Sequence, residues 1–435
     1  MKKITIQHFG PIEKINNLQL EDNMLFIGPQ ANGKSTIAKA VYFFKQIRID
    51  LIQYFLQKID TNEPGKPPLT ELGKIIRSKF MDFWGASFAY HPDLVLHYDY
   101  TKLVFINITL TADDKYINPA FSNALQVEIN AVYDEINVVL NRIKQGTSDR
   151  SVEERLIRTS ELHAFKLSIV KRINDLFEED EELLFIPAGR SAFAVLTDEI
   201  VALSSKKVDT LTRDFAYKIN ERKVYFNKSL SEVISDEQST SLRHVPLKMA
   251  QKAATLLSNI LQGEYRIVNG EERIYYKEDR FVKLNYASSG QQESLWILLS
   301  IFINILKSTK VFVVFEEPEA HLFPKAQKDI VELIALLMNS TKGNKVMITT
   351  HSPYVLTAFN NLIYANDVGK EQSSLVDRIV DKDFWLDAAR SAAYFVEKGS
   401  LRSIIHDGLI DANQIDSVSD EINELTDKMV EIKIS

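Results

Sequence analysis

The sequence contains no cysteine. That excludes disulfides, thiolate metal sites and a thiol nucleophile, and it fits a reducing compartment. Long apolar runs are lacking too. The longest, Leu295 to Leu306, is interrupted by Ser300 and Asn304 and is shorter than the roughly 18 residues a membrane span needs, so it reads as a buried helix. The opening MKKITIQHFGPIEKI alternates like a strand and has no apolar signal-peptide core. A soluble, cytoplasmic chain without a membrane partner is expected. Positive charge is in the minority, with 52 Lys and Arg against 59 Asp and Glu and a formal net charge of −7, which gives no global support for nucleic-acid binding. The local exception is the segment from Lys206 to Lys228. It holds Lys206, Lys207, Arg213, Lys218, Arg222, Lys223 and Lys228 against Asp209, Asp214 and Glu221. It reads as the solvated face of a helix and is the best local candidate for contact with a phosphate backbone. No heptad run is long enough for an extended coiled coil, and neither internal repeats nor low-complexity linkers occur.

What is present is an ordinary globular mixture. Hydrophobic residues make up 45% and charged ones 26% of 435 residues, enough for a sizeable core and more than one domain usually holds. Ile4, Ile6 and Phe9 alternate as a strand, Gly10-Pro11 turns the chain, and Met24 to Ile27 is a short buried strand followed by a helix from Lys34 to about Leu56. Leu94 to Leu110 is β-rich and antiparallel in character, and Ala120 to Glu182 turns helical. Leu183 to Pro187 is another short strand, and a second helical stretch runs from about 196 to 262. Glu264 to Asn285 reads as a β-meander with Asn269-Gly270 as its hairpin turn. Strands alternating with helices then lead to Thr350, which implies a parallel sheet covered on both faces.

Four constellations carry chemistry. Gly28-Pro29-Gln30-Ala31-Asn32-Gly33-Lys34-Ser35-Thr36 fits G-x-x-x-x-G-K-[ST] between a predicted strand and a predicted helix. Glycines at 28 and 33 let the loop curl its N–H groups around phosphate, and the helix adds its positive end. Lys34 then reaches the β- and γ-phosphates, and the Ser35 hydroxyl binds Mg²⁺. The buried run Val311 to Phe315 ends in Glu316-Glu317. One carboxylate is needed for the Mg²⁺ shell and another to polarise the attacking water, so Glu316 is assigned the first role and Glu317 the second. Taken alone, two acids at a strand end are equally a solvated surface pair. Finally, Ser288-Ser289-Gly290 opens a long apolar helix, an ordinary N-cap or an anion site. His351 ends a buried strand, where it is placed to hydrogen-bond the γ-phosphate.

Together these motifs resemble the ABC-type ATPases of the RecF and SMC branch. Within it they are similar to the family of overcoming-lysogenisation-defect proteins and anti-phage ATPase subunits. The resemblance rests on Phe9-Gly10-Pro11-Ile12, Ile186-Pro187-Ala188-Gly189-Arg190-Ser191, Ser288 to Gln292, Glu316-Glu317-Pro318-Glu319-Ala320-His321-Leu322-Phe323-Pro324 and Thr350-His351-Ser352-Pro353. It implies a P-loop NTPase head of α/β class, a mixed sheet with an antiparallel β subdomain and inserted helical lobes. The cofactors would be ATP and Mg²⁺. Glu316 and Glu317 would be the Walker B pair, His351 the switch histidine, and Ser289-Gly290 the signature touching ATP on the other subunit of a homodimer. The departures are glutamate rather than aspartate as the first acid, no double glycine in the signature, and no placed γ-phosphate-sensing glutamine among Gln53, Gln57 and Gln126.

The expected divisions are 1–120 for the first part of the head, 121–262 for a mainly helical insertion interrupted by strand 183–187, 263–365 for the second part, and 366–435 for a helical tail. The 84 residues after His351 hold no Toprim-like pattern, and Asp377, Asp381 and Asp383 read as solvated. The chain is therefore expected to act as an ATP switch on a separate effector such as a nuclease in anti-phage defence. The alternatives are a RecF-like repair ATPase on duplex DNA and, less favoured, the nucleotide-binding subunit of a transporter. In the acidic C-terminus, Ile415, Val418, Ile422, Leu425 and Met429 recur at helical steps and suggest self-packing or a docking face.

Overall fold

The computed structural model describes residues 2–61, 66–85, 91, 93–113, 116–145, 152–194, 208–240, 245–411, 424–425, 427–430 and 432. In chain order the strands and helices begin with β1 (Lys3–Phe9), β2 (Ile12–Gln19), β3 (Asn23–Ile27), α1 (Lys34–Thr61) and α2 (Pro68–Trp84). They continue through β4 (Val95–Asp99), β5 (Phe105–Leu110), β6 (Ile117–Phe121), α3 (Asn123–Gln145), α4 (Val152–Phe177) and β7 (Glu182–Ile186). Next come α5 (Thr210–Lys223), α6 (Leu230–Thr240), α7 (Leu247–Leu261), β8 (Glu264–Val268), β9 (Glu271–Lys277), β10 (Arg280–Lys283), α8 (Ser289–Leu306) and β11 (Val311–Glu316). The last are α9 (Pro324–Ser340), β12 (Lys345–Thr350), α10 (Pro353–Val376), β13 (Ser391–Glu397), β14 (Ser400–Ser403), β15 (Ile405–His406) and β16 (Leu409–Ile410). No helix among the described residues is long and apolar enough to cross a membrane.

Contacts divide the chain into two compact units. One comprises Met1–Leu20, Ser35–Leu183 and Lys398–Ser400. Its sheet runs β2-β1-β4-β5-β6 with antiparallel pairing throughout, as the alternating apolar residues from Leu94 to Leu110 predict. Phe9, Phe43, Phe80 and Trp84 pack ring against ring at 4.7 to 5.9 Å between centroids. A buried polar knot lies in the same unit. Lys45 binds the carboxylates of Glu179 and Glu181, and Arg48 donates to the Glu181 carbonyl at 2.6 Å. The two carboxylates hold the Lys45 ammonium above its ordinary range despite full burial.

The other unit comprises Glu21–Lys34, Leu184–Glu397 and Leu401–Ser435. Its sheet is ordered β14-β13-β3-β12-β11-β7, and the pairs β13–β3, β3–β12 and β12–β11 are parallel. Strands β3 and β11 are buried along their whole length, the pattern of a parallel sheet covered on both faces. Helix α8 is buried from Ser294 to Leu306, so the apolar run is indeed a core helix. The meander β8-β9-β10 turns at Asn269 and Gly270, both at positive φ. The fold is an α/β P-loop head with a mixed sheet, an antiparallel β subdomain and helical insertions.

The C-terminal region departs from the expected helical tail. Among the described residues of 366–435, α10 ends at Val376, strands β13 to β16 follow, and α-helix returns only at 424–425, 427–430 and 432. Strand β13 joins the main sheet beside β3, with Tyr394 stacked on Phe26 at 5.7 Å. The reason is a hairpin: Lys398 and Gly399 have φ of 47° and 72°, which reverses the chain straight after Tyr394-Phe395-Val396. Of the amphipathic stripe, Ile415, Val418 and Ile422 lie outside the described residues, while Leu425 and Met429 are exposed.

Candidate functional site

The phosphate loop runs from the end of β3 to the start of α1. Gly28 has φ 149°, and a Cβ there would lie 2.2 Å from the Val396 carbonyl oxygen, so only glycine lets the loop pass against β13. Gly33 is at φ 105° and Ala31 at φ 60°. Asn32 closes the turn through its side-chain amide to the Gln30 carbonyl at 2.8 Å. Pro29, Gln30 and Ala31 are exposed, as is Ser35, and Thr36 is half-buried. Lys34 is buried and folds back on the loop, donating to the Gly28 and Pro29 carbonyls at 2.8 and 2.7 Å. Burial lowers its pKa to about 8, against the pull of Glu317 and Glu319.

The ends of β11 and β12 bring His351 to Lys34 and Glu317 to His351, with Glu316 and Glu319 beside them. His351 Nδ1 lies 3.5 Å from the ammonium, and His351 Nε2 lies 3.4 Å from Glu317 Oε1. The imidazole therefore stands between the ammonium and the Glu317 carboxylate, with one ring nitrogen facing each. Glu317 takes φ 45°, a left-handed backbone that a non-glycine residue adopts only under constraint. Its N–H donates to the Thr349 carbonyl at 2.8 Å. Glu316 is buried at the strand end, and its Oε2 accepts from the Ala188 N–H at 3.4 Å. Glu319 Oε1 accepts from the Thr350 hydroxyl at 2.5 Å and from the His351 N–H at 3.1 Å, which fixes the histidine backbone. Burial pushes the Glu319 carboxyl above its usual range, with those two hydrogen bonds opposing.

At the head of α8, Ser288 and Gln291 form a capping box. Ser289 is exposed in the first helical turn. A Cβ on Gly290 would meet the His321 carbonyl oxygen at 2.8 Å, so the helix start lies directly against the loop after Glu317. No hydrogen bond among the described residues joins Ser289 to Lys34, Glu317 or His351.

A family model described as AAA ATPase domain matches residues 126–356. The chain belongs to that family. The matched stretch contains Ser289, Gly290, Glu316, Glu317 and His351 and begins after the phosphate loop. Three solved structures are similar to this ATPase-domain chain at low identity. The SMC head bound to the C-winged helix domain of ScpA is 10% identical, with 92% of this chain and 96% of that one covered at a TM-score of 0.40. The SMC head domain from Thermotoga maritima is 12% identical, covering 93% and 98% at 0.37. The recombination mediator RecF, in its RecF-ATPrS structure, is 10% identical, covering 93% and 97% at 0.33. No curated protein matches the chain.

In this AAA ATPase domain chain the structure gathers Lys34, Glu317 and His351 as a contacting group, with Glu316 one residue away. Three residues to which motif reading gave no role join them: Arg190, Glu293 and Glu319. Arg190 is buried in the turn after β7 and bonds to both acids' carbonyls. Its only sequence signal is the short Ile186 to Ser191 motif. The basic segment reads differently in three dimensions. Lys218, Lys223 and Lys228 pair with Glu221, Glu272 and Asp236, and Arg222 donates to the Ser300 carbonyl. Lys206 and Lys207 lie outside the described residues. Asp381 and Asp383 both bind Lys252. Among the described residues no cluster of three or more His, Asp or Glu side chains converges as a metal cage. A Mg²⁺ ion carried in with a nucleotide needs only one or two protein oxygens, and the Glu316 carboxylate is a donor of that kind.

Proposed function

We propose that this chain binds ATP, hydrolyses it and closes into a homodimer around it to control a separate effector. The observation that carries the reading is the Lys34–His351–Glu317 group behind a phosphate loop. A buried ammonium, an imidazole and a half-exposed carboxylate follow one another at 3.5 and 3.4 Å. Triphosphate oxygens would take Lys34 from the Gly28 and Pro29 carbonyls, replacing weak acceptors with anionic ones. His351 Nε2–H is then available to a γ-phosphate oxygen, which releases Glu317 to orient water and accept its proton as the oxygen attacks phosphorus. ADP leaves as the other product. Ser35 and Glu316 would hold Mg²⁺, whose charge would neutralise the phosphates.

The exposed Ser289 hydroxyl and the N-terminus of α8 suit anion binding from outside the chain, which supports a site completed by a second copy. The effector fits best as a separate nuclease in anti-phage defence, following the motif resemblance. Lys34→Ala should abolish ATP binding in calorimetry, and unchanged affinity would sink the loop assignment. Glu317→Gln should bind ATP normally while hydrolysis falls about 10²-fold, the scale for losing a general base. Normal turnover in Glu317→Gln with loss in Glu316→Gln would show that the two acid roles are misassigned.

A further inference from the structure

Arg190 is fully buried, and its guanidinium is spent on backbone carbonyls from three segments. Nη1 donates to Pro187 O at 2.6 Å and Glu316 O at 2.7 Å, Nη2 to Glu317 O at 2.8 Å, and Nε to Glu293 O at 3.0 Å. The contact is reciprocal. The Glu293 carboxylate accepts from the N–H groups of Arg190 at 2.8 Å and Ser191 at 2.9 Å. Glu293 stands on α8, one turn beyond Ser289, so one side chain ties the helix that opens with Ser289-Gly290 to the peptide units of both acids. Burial works against the charge on Arg190, and the carboxylates of Glu293, Glu319, Glu317 and Glu316 act to keep it. A flat fork of donors spans these carbonyls, whereas the three donors of a lysine radiate from one point.

We propose that Arg190 is a positioning residue that holds the left-handed backbone of Glu317 to helix α8, so that a displacement at Ser289-Gly290 reaches the carboxylate that handles water. The proposal rests on the hydrolysis reading above. Glu317 sits in a backbone conformation that persists only when its surroundings over-determine it. Its N–H is fixed by Thr349 and its carbonyl by Arg190, and removing the second constraint frees one end of the peptide. Substrate binding uses the loop and Lys34, none of which Arg190 contacts among the described residues.

The test uses the full chain with Arg190→Lys and Glu293→Gln, each followed by ATP calorimetry, steady-state kinetics and amide hydrogen exchange. Arg190→Lys should keep ATP affinity and KM within about threefold while kcat falls at least about tenfold, the expected cost of a misplaced catalytic group. Exchange at the Glu317 amide should quicken. Glu293→Gln should show the same split more weakly, and the double variant should lose no more than Arg190→Lys alone, because both act through one linkage. Wild-type kcat with unchanged exchange in Arg190→Lys would overturn the proposal, and so would a kcat loss matched by an equal loss of affinity. If Arg190→Lys does not fold, Glu293→Gln decides on the same split and exchange. A wild-type chain that never hydrolyses ATP would sink the hydrolysis reading instead, while exchange at Glu317 still tests the linkage.

Discussion

Burial has drawn the Lys34 ammonium down to about 8 from the ordinary 10.5, even with Glu317 and Glu319 nearby to hold its charge. Between those two values the folded chain carries fewer protons at Lys34 than the unfolded chain, so this residue's contribution to stability rises with pH across that window. Triphosphate reverses the balance, because an anionic partner favours the charged lysine. Binding of ATP at about pH 8.5 should therefore take up protons, and at about pH 6.5, where Lys34 is already charged, that uptake should vanish. Calorimetry in buffers of differing ionisation heat reads the proton count directly. No uptake at the higher pH would mean that Lys34 does not meet the phosphates. Lys34, Glu316, Glu317 and His351 were all visible in the sequence because each is marked by local spacing. Lysine follows a glycine turn, and the acids and histidine follow β-favouring apolar runs. The pairing of Arg190 with Glu293 was not, since they lie 103 residues apart and only the fold brings them together. The same holds for Glu319, whose bonds to Thr350 and His351 cross from one strand end to the next.

Helix α8 shows how the elements themselves were or were not readable. Its apolar run and serine-glycine start announce a buried, capped helix, and the structure supplies both. The cap is reciprocal, with Gln291 N donating to Ser288 Oγ at 3.3 Å and Ser288 N to Gln291 Oε1 at 3.1 Å. Replacing Ser288 by alanine should cost about 1 kcal/mol, which thermal unfolding would register as a Tm lowered by a few degrees. An unchanged Tm would mean the cap adds nothing at this helix end. Gly290→Ala makes a different demand. Its Cβ would need space 2.8 Å from a backbone oxygen at His321, and backbone cannot swing aside as a side chain can. The loop after Glu317 must shift, so hydrolysis should fall about tenfold or more. Wild-type turnover in that variant would show that the approach of α8 to this loop does not matter. Strands β2 and β13 are among those that escaped the periodicity argument, each for an identifiable reason. In β2 the buried residues Ile12, Ile15 and Leu18 fall three apart, and the step from Ile15 to Leu18 coincides with a register irregularity opposite Ile4 and Ile6 that breaks the two-residue alternation. In β13 the buried positions include Ser391 and Ala393, residues too small to mark a strand by hydropathy.

For the molecule as a whole, the decisive question is whether one chain holds a complete site. Lys34, Glu317 and His351 contact one another within a chain, whereas the exposed Ser289 makes no described hydrogen bond to them. A composite site accounts for both facts: the anion-binding helix start of one copy would close over the nucleotide on another. Ser289→Arg should then block hydrolysis while ATP affinity of the isolated chain stays near normal, because the bulky cation would fill the space where two copies would meet and would leave the loop intact. Lys34→Ala should lose both binding and hydrolysis. Mixed together, the two variants would form heterodimers in which one site pairs an intact loop with an intact serine, and the other combines both defects. Turnover should reappear at up to half the wild-type level per confirmed heterodimer if the sites fire independently. Phosphate release measured on tagged, copurified heterodimers reads this result. Two inactive parents that regain activity only when paired cannot be explained by a site within one chain. Parents that stay inactive in confirmed heterodimers would count against a shared site whose halves fire independently. Ser289→Arg with full activity on its own would remove the serine from the chemistry altogether.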